Sequence, residues 1–91
     1  MKVEFDPEKD VANQAKHGAS LALGKVVFDD PDLLILPTIR EVDGEDRYKA
    51  IGKIGDRLWT AVHIYRADVV RFLSVRRSNS SEQRVYDRYT S

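Results

Sequence analysis

The main change of period among polar and apolar positions, from helical to alternating, falls near Pro31. Before it, "KVEF" alternates as a short edge strand, and "DPEKDVANQAKHG" then carries the signals of a helix. Asp6 stands as N-cap, Pro7 at the first helical position and Glu8 near the positive end of the dipole. Lys16 and His17 lie near the negative end, and Gly18 is the stop. Val11, Ala12 and Ala15 form a thin apolar stripe. A second helix is predicted from Ser20 through "LALGKVVF", with Gly24 marking a close helix crossing and "DDPD" ending it.

After Pro31 the apolar residues alternate, as strands require. "LLILPTIRE" holds Pro37, which confines it to an edge or a bulge. "DRYKAIGKI", "RLWTAVHIYR" and "VVRFLSVRR" follow, joined by "GD" and "AD", each short enough for a two-residue hairpin. Glu45 and Asp46 start the first of these strands as a solvated carboxylate pair. In "SNSSEQRVYDRY", Ser80 and Gln83 have capping-box spacing, which predicts a last helix from about Ser81 to Tyr89. The fold class is therefore α+β: two N-terminal helices on a small antiparallel meander sheet, then a C-terminal helix.

Two-residue loops at Gly55-Asp56 and Ala67-Asp68 fix the expected register. They set Trp59, Ala61, His63 and Tyr65 beside Arg76, Ser74, Phe72 and Val70, with Tyr48, Ala50 and Gly52 on the same face. Leu58, Val62, Ile64, Val69, Leu73, Val75 and Ile51 share the other face, an aliphatic surface for helices to cover. A shift of one residue reverses a strand's faces, so this assignment hangs on the loops.

Size and composition narrow the classes. A chain of 91 residues buries about 60 to 65% of its unfolded surface, enough for one domain over residues 1–91 and too little for two. There is no cysteine, which excludes a disulfide framework and cysteine-based zinc or redox sites. No cofactor or metal site is expected. The two histidines are far apart, and "DDPD" lacks the spacing of a calcium loop. The acidic N-terminus and the shortness of every apolar run point to the cytoplasm and away from a membrane.

Charge changes the picture more. The formal net charge is zero, yet residues 1–46 hold five Lys or Arg against eleven Asp or Glu, and residues 47–91 hold ten against four. If the halves stay apart in space, one surface attracts polyanions and another suits a basic partner. Single-stranded RNA is gripped by bases stacked on rings and by arginine forks on phosphate. Trp59, Tyr48, Tyr65 and Phe72 are the candidate rings; Arg76, Arg77, Arg66, Arg47 and Arg71 are the candidate forks. The plainer alternative makes Trp59 and Phe72 core residues under a helix.

Metal-free RNA cleavage needs a base for the 2′-hydroxyl, a cation for the charge on phosphorus and an acid for the departing 5′ oxygen. Arginine suits the second role, and His63 is the candidate base or acid. A hydrogen-bonded packing role for His63 stays open, and His17 is explained by the helix end.

The order of "FDPEK" with Asn13, "KHGAS", "VFDDP", "GEDRYKAIG", "VHIYR" and "RFLSVRRSNSSEQRVY" resembles the BrnT family of bacterial toxins over almost the whole chain. The chain departs from that pattern at Phe5, Leu21, Gly24 and Val75. The resemblance implies a RelE-like ribonuclease toxin that inhibits translation, with RNA as substrate and a BrnA-type ribbon-helix-helix antitoxin as partner. Operator DNA would then be met only through the antitoxin complex. It also implies Arg47, Arg66, Arg76 and Arg77 as site residues, with Glu82 and Tyr86 as companions on the last helix. Arg76 and Arg77 alternate on one strand, so Arg76 is assigned the scissile phosphate and Arg77 a flanking phosphate or an acidic patch of the partner. The alternative function is a noncatalytic basic module that docks an acidic partner or acts as a DNA-binding co-repressor.

Overall fold

The first helix begins where Asp6 accepts a hydrogen bond from the Glu8 amide at 2.9 Å, and it ends at Gly18, whose φ of 70° few residues other than glycine tolerate. The computed structural model describes residues 1–38 and 46–91. Along the chain run β1 (Lys2–Glu4), α1 (Pro7–His17), α2 (Leu23–Val27), β2 (Leu34–Thr38), β3 (Arg47–Ile54), β4 (Arg57–Arg66), β5 (Val69–Arg77) and α3 (Ser80–Thr90). The five strands form one sheet in the order β1-β5-β4-β3-β2, antiparallel except for the β1–β5 pair. Pro37 lies on edge strand β2, as its missing N–H requires. Residues 39–41 of the expected second strand, and Glu45, lie outside the described residues.

Both hairpins have the expected two-residue loops, since Ile54 pairs with Arg57 and Arg66 with Val69. The register nevertheless departs from expectation halfway along β5. His63 pairs with Phe72 but Val62 pairs with Ser74, so Leu73 is an extra residue, a β-bulge. Everything after it changes face. Trp59 stands beside Arg77 rather than Arg76, Ala61 beside Val75 rather than Ser74, and Arg76 beside Thr60.

The assignment of the helix-covered face is corrected as well. The aromatic face is the main core: Ala50, Ala61, Val70, Phe72 and Val75 pack with Leu21 and Val27, and Trp59, Phe28, Leu23 and Phe5 lie at its rim. Small residues at positions 50, 52 and 61 let α2 come close to the sheet. A Cβ on Gly24 would sit 2.5 Å from the Phe72 ring, so this glycine marks a helix meeting a sheet side chain and not a helix crossing. The family departures at Phe5, Leu21, Gly24 and Val75 all fall in this core. The opposite face, expected to hold the core, takes only the smaller cluster of Leu34, Ile51, Leu58 and Tyr86 under α3.

Two helices are also seated differently from the periodicity. Val11, Ala12 and Ala15 face solvent, and the one buried residue of α1 is Asn13. Its amide acts as a strand partner on the outer edge of β5. Nδ2 donates to the Val75 and Ala19 carbonyls at 2.8 Å each, and Oδ1 accepts from the Val75 amide at 3.2 Å. The helix expected from Ser20 is a turn followed by the five-residue α2, held by Asp10 accepting from the Leu21 amide and the Ser20 hydroxyl at 2.7 and 2.9 Å. Those bonds, the backbone one foremost, hold the Asp10 carboxyl below its ordinary pKa against the cost of burial.

Candidate nucleic-acid interface

Helix α3 starts one residue earlier than Ser80 and Gln83 suggest, because Asn79 is the cap and Glu82 its box partner. That shift turns Glu82 inward. The Asn79 side chain accepts from the Glu82 amide at 2.9 Å, and Glu82 Oε1 accepts from the Asn79 amide at 3.0 Å. The side chain of Glu82 is only 1% exposed, yet it accepts from Arg76, Lys49, Thr60 and the Asn79 amide. Arg76 grips it as a fork, Nη1 to Oε1 at 2.7 Å and Nη2 to Oε2 at 2.8 Å. Lys49 Nζ reaches Oε2 at 3.1 Å, and the Thr60 hydroxyl donates to Oε1 at 3.0 Å while lying 2.7 Å from the Ser78 hydroxyl.

Two cations on one carboxylate leave a local charge of plus one. Burial by itself would raise the Glu82 pKa, but the bonds from Arg76, the Asn79 amide and Lys49 outweigh it and bring the carboxyl down to about 2. Hydrogen bonding to Glu82 likewise raises the Arg76 pKa. Among the described residues, both cations keep donors to spare. Of the five guanidinium hydrogens, Arg76 commits two to Glu82 and one more to the Arg77 carbonyl at 3.3 Å, and Lys49 commits one of three. Each side chain is 28% exposed.

Strand register puts Arg47, Arg66 and Arg71 on the same face as Arg76 and Lys49. Arg71 is tied to Glu4 on β1 at 3.1 Å. Tyr86, one turn along α3 from Glu82, is buried and donates to Asp30 at 2.5 Å. Burial, and then Asp30, push its pKa up. Lys49 was not among the sequence candidates. Its position two residues after Arg47 on an alternating strand was the signal that puts both on one face.

The remaining candidates lie on the other side of the sheet. Arg77 stacks over the Trp59 ring, 5.7 Å from its centroid, beside an apolar groove lined by Ala19, Ala22, Leu23 and Val26. Trp59 is thus a half-buried core-rim residue. His63 is wholly buried among Phe28, Phe72, Tyr48 and Tyr65, with ring centroids 5.1 to 6.3 Å away. Its Nδ1 lies 3.0 Å from the Ala61 carbonyl, which can only accept, so the proton is on Nδ1. Nε2 then accepts from the Tyr65 hydroxyl at 3.2 Å. Burial lowers the His63 pKa, which keeps the ring neutral at pH 7. Tyr65 is half exposed at the end of this aromatic stack, and burial raises its pKa.

Phe72 is a core residue, so the stacking surface expected from Trp59, Tyr48, Tyr65 and Phe72 does not lie over the arginines. The structure brings together Arg76, Glu82, Lys49, Thr60 and Ser78, with Arg47, Arg66 and Arg71 on the same face. It separates them from Arg77, Trp59, Tyr48, Tyr65 and His63. Among the described residues, no helix is long and apolar enough to cross a membrane.

A family model described as ribonuclease toxin, BrnT, of type II toxin-antitoxin system matches residues 5–82. The match spans both Arg76 and Glu82. None of the curated proteins compared matches the chain.

Proposed function

The chain belongs to the BrnT family of ribonuclease toxins of type II toxin-antitoxin systems, and from that premise we propose a RelE-like, metal-independent endoribonuclease whose single domain spans residues 1–91. It acts in the cytoplasm, cuts RNA and so inhibits translation. A BrnA-type ribbon-helix-helix antitoxin neutralises it, and operator DNA is met only through the complex with that antitoxin.

The observation that carries this reading is the convergence of Arg76 and Lys49 on one buried carboxylate, on the face that also bears Arg47, Arg66 and Arg71. In RNA cleavage the 2′ oxygen attacks phosphorus, the 5′ oxygen leaves, and the phosphorus centre passes through a state with added negative charge. Arg76 and Lys49 meet that charge with their uncommitted donors. Glu82, with its pKa near 2, is too weak a base to take the 2′ proton, so it positions the two cations. Arg66, Arg47 and Arg71 hold flanking phosphates. His63 is buried on the opposite face of the sheet, with its Nε2 on the Tyr65 hydroxyl, so it has no path to a proton at the Arg76 site.

A specific observation also favours the noncatalytic reading. The fork of Arg76 is already closed on Glu82, and Arg77 with Trp59 borders an apolar groove suited to a docked protein. Purified protein incubated with RNA, with and without chelator, separates the two. Chelator-resistant cleavage that falls at least a hundredfold in Lys49→Ala and in Arg76→Ala/Glu82→Gln, both checked for folding, supports the enzyme. Undiminished cleavage by the folded double variant overturns the site, and RNA retention without cleavage by the parent protein supports the docking module.

A further inference from the structure

A helix docked on a sheet edge normally turns its apolar stripe inward, at spacings of three and four residues. Helix α1 does the reverse. Lys9, Asn13, Lys16 and His17 follow that spacing and, with Ala12, line a cleft against Leu73 and Ser74 of β5, while Val11 and Ala15 face solvent. The cleft is open to solvent and has a volume of about 260 Å³. Asn13 is explained by its bonds to Val75 and Lys16 in part by the negative end of the helix, but neither accounts for Lys9 on the same side. Neither Lys9 nor Lys16 forms an ion pair among the described residues, and no carboxylate lines the cleft. Two lysines, His17 and Ser74 border this one concavity, and such a set of side chains suits an anion.

Position says which anion. Ser74 faces the same side as Arg76, and the backbones of the two residues are about 7 Å apart along the same strand. That interval suits successive phosphates of an extended strand. We propose that the cleft between α1 and the Leu73 bulge of β5 is a second phosphate subsite, holding the RNA backbone phosphate next to the one bound at Arg76. The strand therefore leaves the sheet over the bulge and continues along α1. The lowered pKa of His17, due first to its burial and then to Lys16 and Arg76, is consistent with a positive field across this gap. The inference rests on the ribonuclease reading and adds the path of the substrate.

The test is Lys9→Ala/Lys16→Ala, two exposed helix positions where alanine keeps the helix. Binding of single-stranded RNA is measured against salt, and inorganic phosphate is titrated into the ¹⁵N-labelled protein. The expected result is about tenfold weaker RNA binding, a salt slope smaller by about 0.7 for one lost phosphate contact, and loss of the phosphate-induced shifts at His17 and Ser74. The control Lys2→Ala/Lys25→Ala removes the same charge elsewhere and should leave the slope alone. An unchanged slope in Lys9→Ala/Lys16→Ala, or an equal fall in the control, overturns the subsite. If cleavage still depends on Arg76 in that case, the ribonuclease reading stands without it. A parent protein that neither binds nor cuts RNA overturns both.

Discussion

Arg76 and Glu82, six residues apart across the junction of β5 and α3, share a two-pronged ion pair of 2.7 and 2.8 Å. This pair ties the last strand to the last helix and aims the guanidinium before any ligand arrives. Because the carboxylate is buried, it also links the site's electrostatics to the stability of the fold.

Replacing Glu82 by Gln leaves Arg76 and Lys49 side by side without their counter-charge and weakens the cap of α3. Breaking a buried pair from one side costs about 3 to 5 kcal/mol. Urea unfolding of Glu82→Gln should show a loss of that order, and Arg76→Ala/Glu82→Gln should lose less than the sum of its single variants. Additive losses would mean that the pair does not couple.

The same carboxylate sets an acid limit. Its pKa is 4.5 when unfolded and about 2 when folded, so its contribution is complete above pH 4.5 and declines as pH falls towards 2. The amount lost is on the order of 3 kcal/mol. Parent protein and Glu82→Gln compared by unfolding from pH 6 to pH 2 should converge across that window. Parallel curves would contradict the assignment.

Asn13→Ala removes both hydrogen bonds to the Val75 backbone and leaves buried polar groups unmatched, at about 1 to 3 kcal/mol. Asn13→Asp keeps the acceptor but loses the donor, so it too should destabilise. Hydrogen exchange at the Val75 amide is the direct readout and should accelerate in Asn13→Ala.

Gly24→Ala drives a methyl group into the Phe72 ring, where the gap is 2.5 Å. Overpacking of this kind costs about 1 to 3 kcal/mol. Phe72→Leu should partly relieve it, so the double variant should be more stable than Gly24→Ala when corrected for Phe72→Leu alone. Simple additivity of the two changes would rule out this contact as the cause.

Local chemistry made much of this fold readable. Asp6, Pro7 and Gly18 bound α1 as their stereochemistry demands, Pro37 marked an edge, and two short turns fixed both hairpin loops. The separation of Arg76 from Arg77 followed from the alternation of any strand. Each of these facts depends on a few neighbouring residues, which is why sequence alone carried them.

What the sequence left undetermined was decided between elements distant along the chain. The bulge at Leu73 has no local signature; it lies two residues before Val75, which β4 and the Asn13 amide both engage, and it moves Arg76 from the ring-bearing face to the face of Glu82. His63 was open to two readings from the sequence, acid or base and hydrogen-bonded packing residue, and its burial beside Phe28 and Phe72 is visible only in the assembled fold. Periodicity specifies which side chains share a face, but burial and charge pairing depend on what packs against that face, and only the assembled sheet and helices settle it.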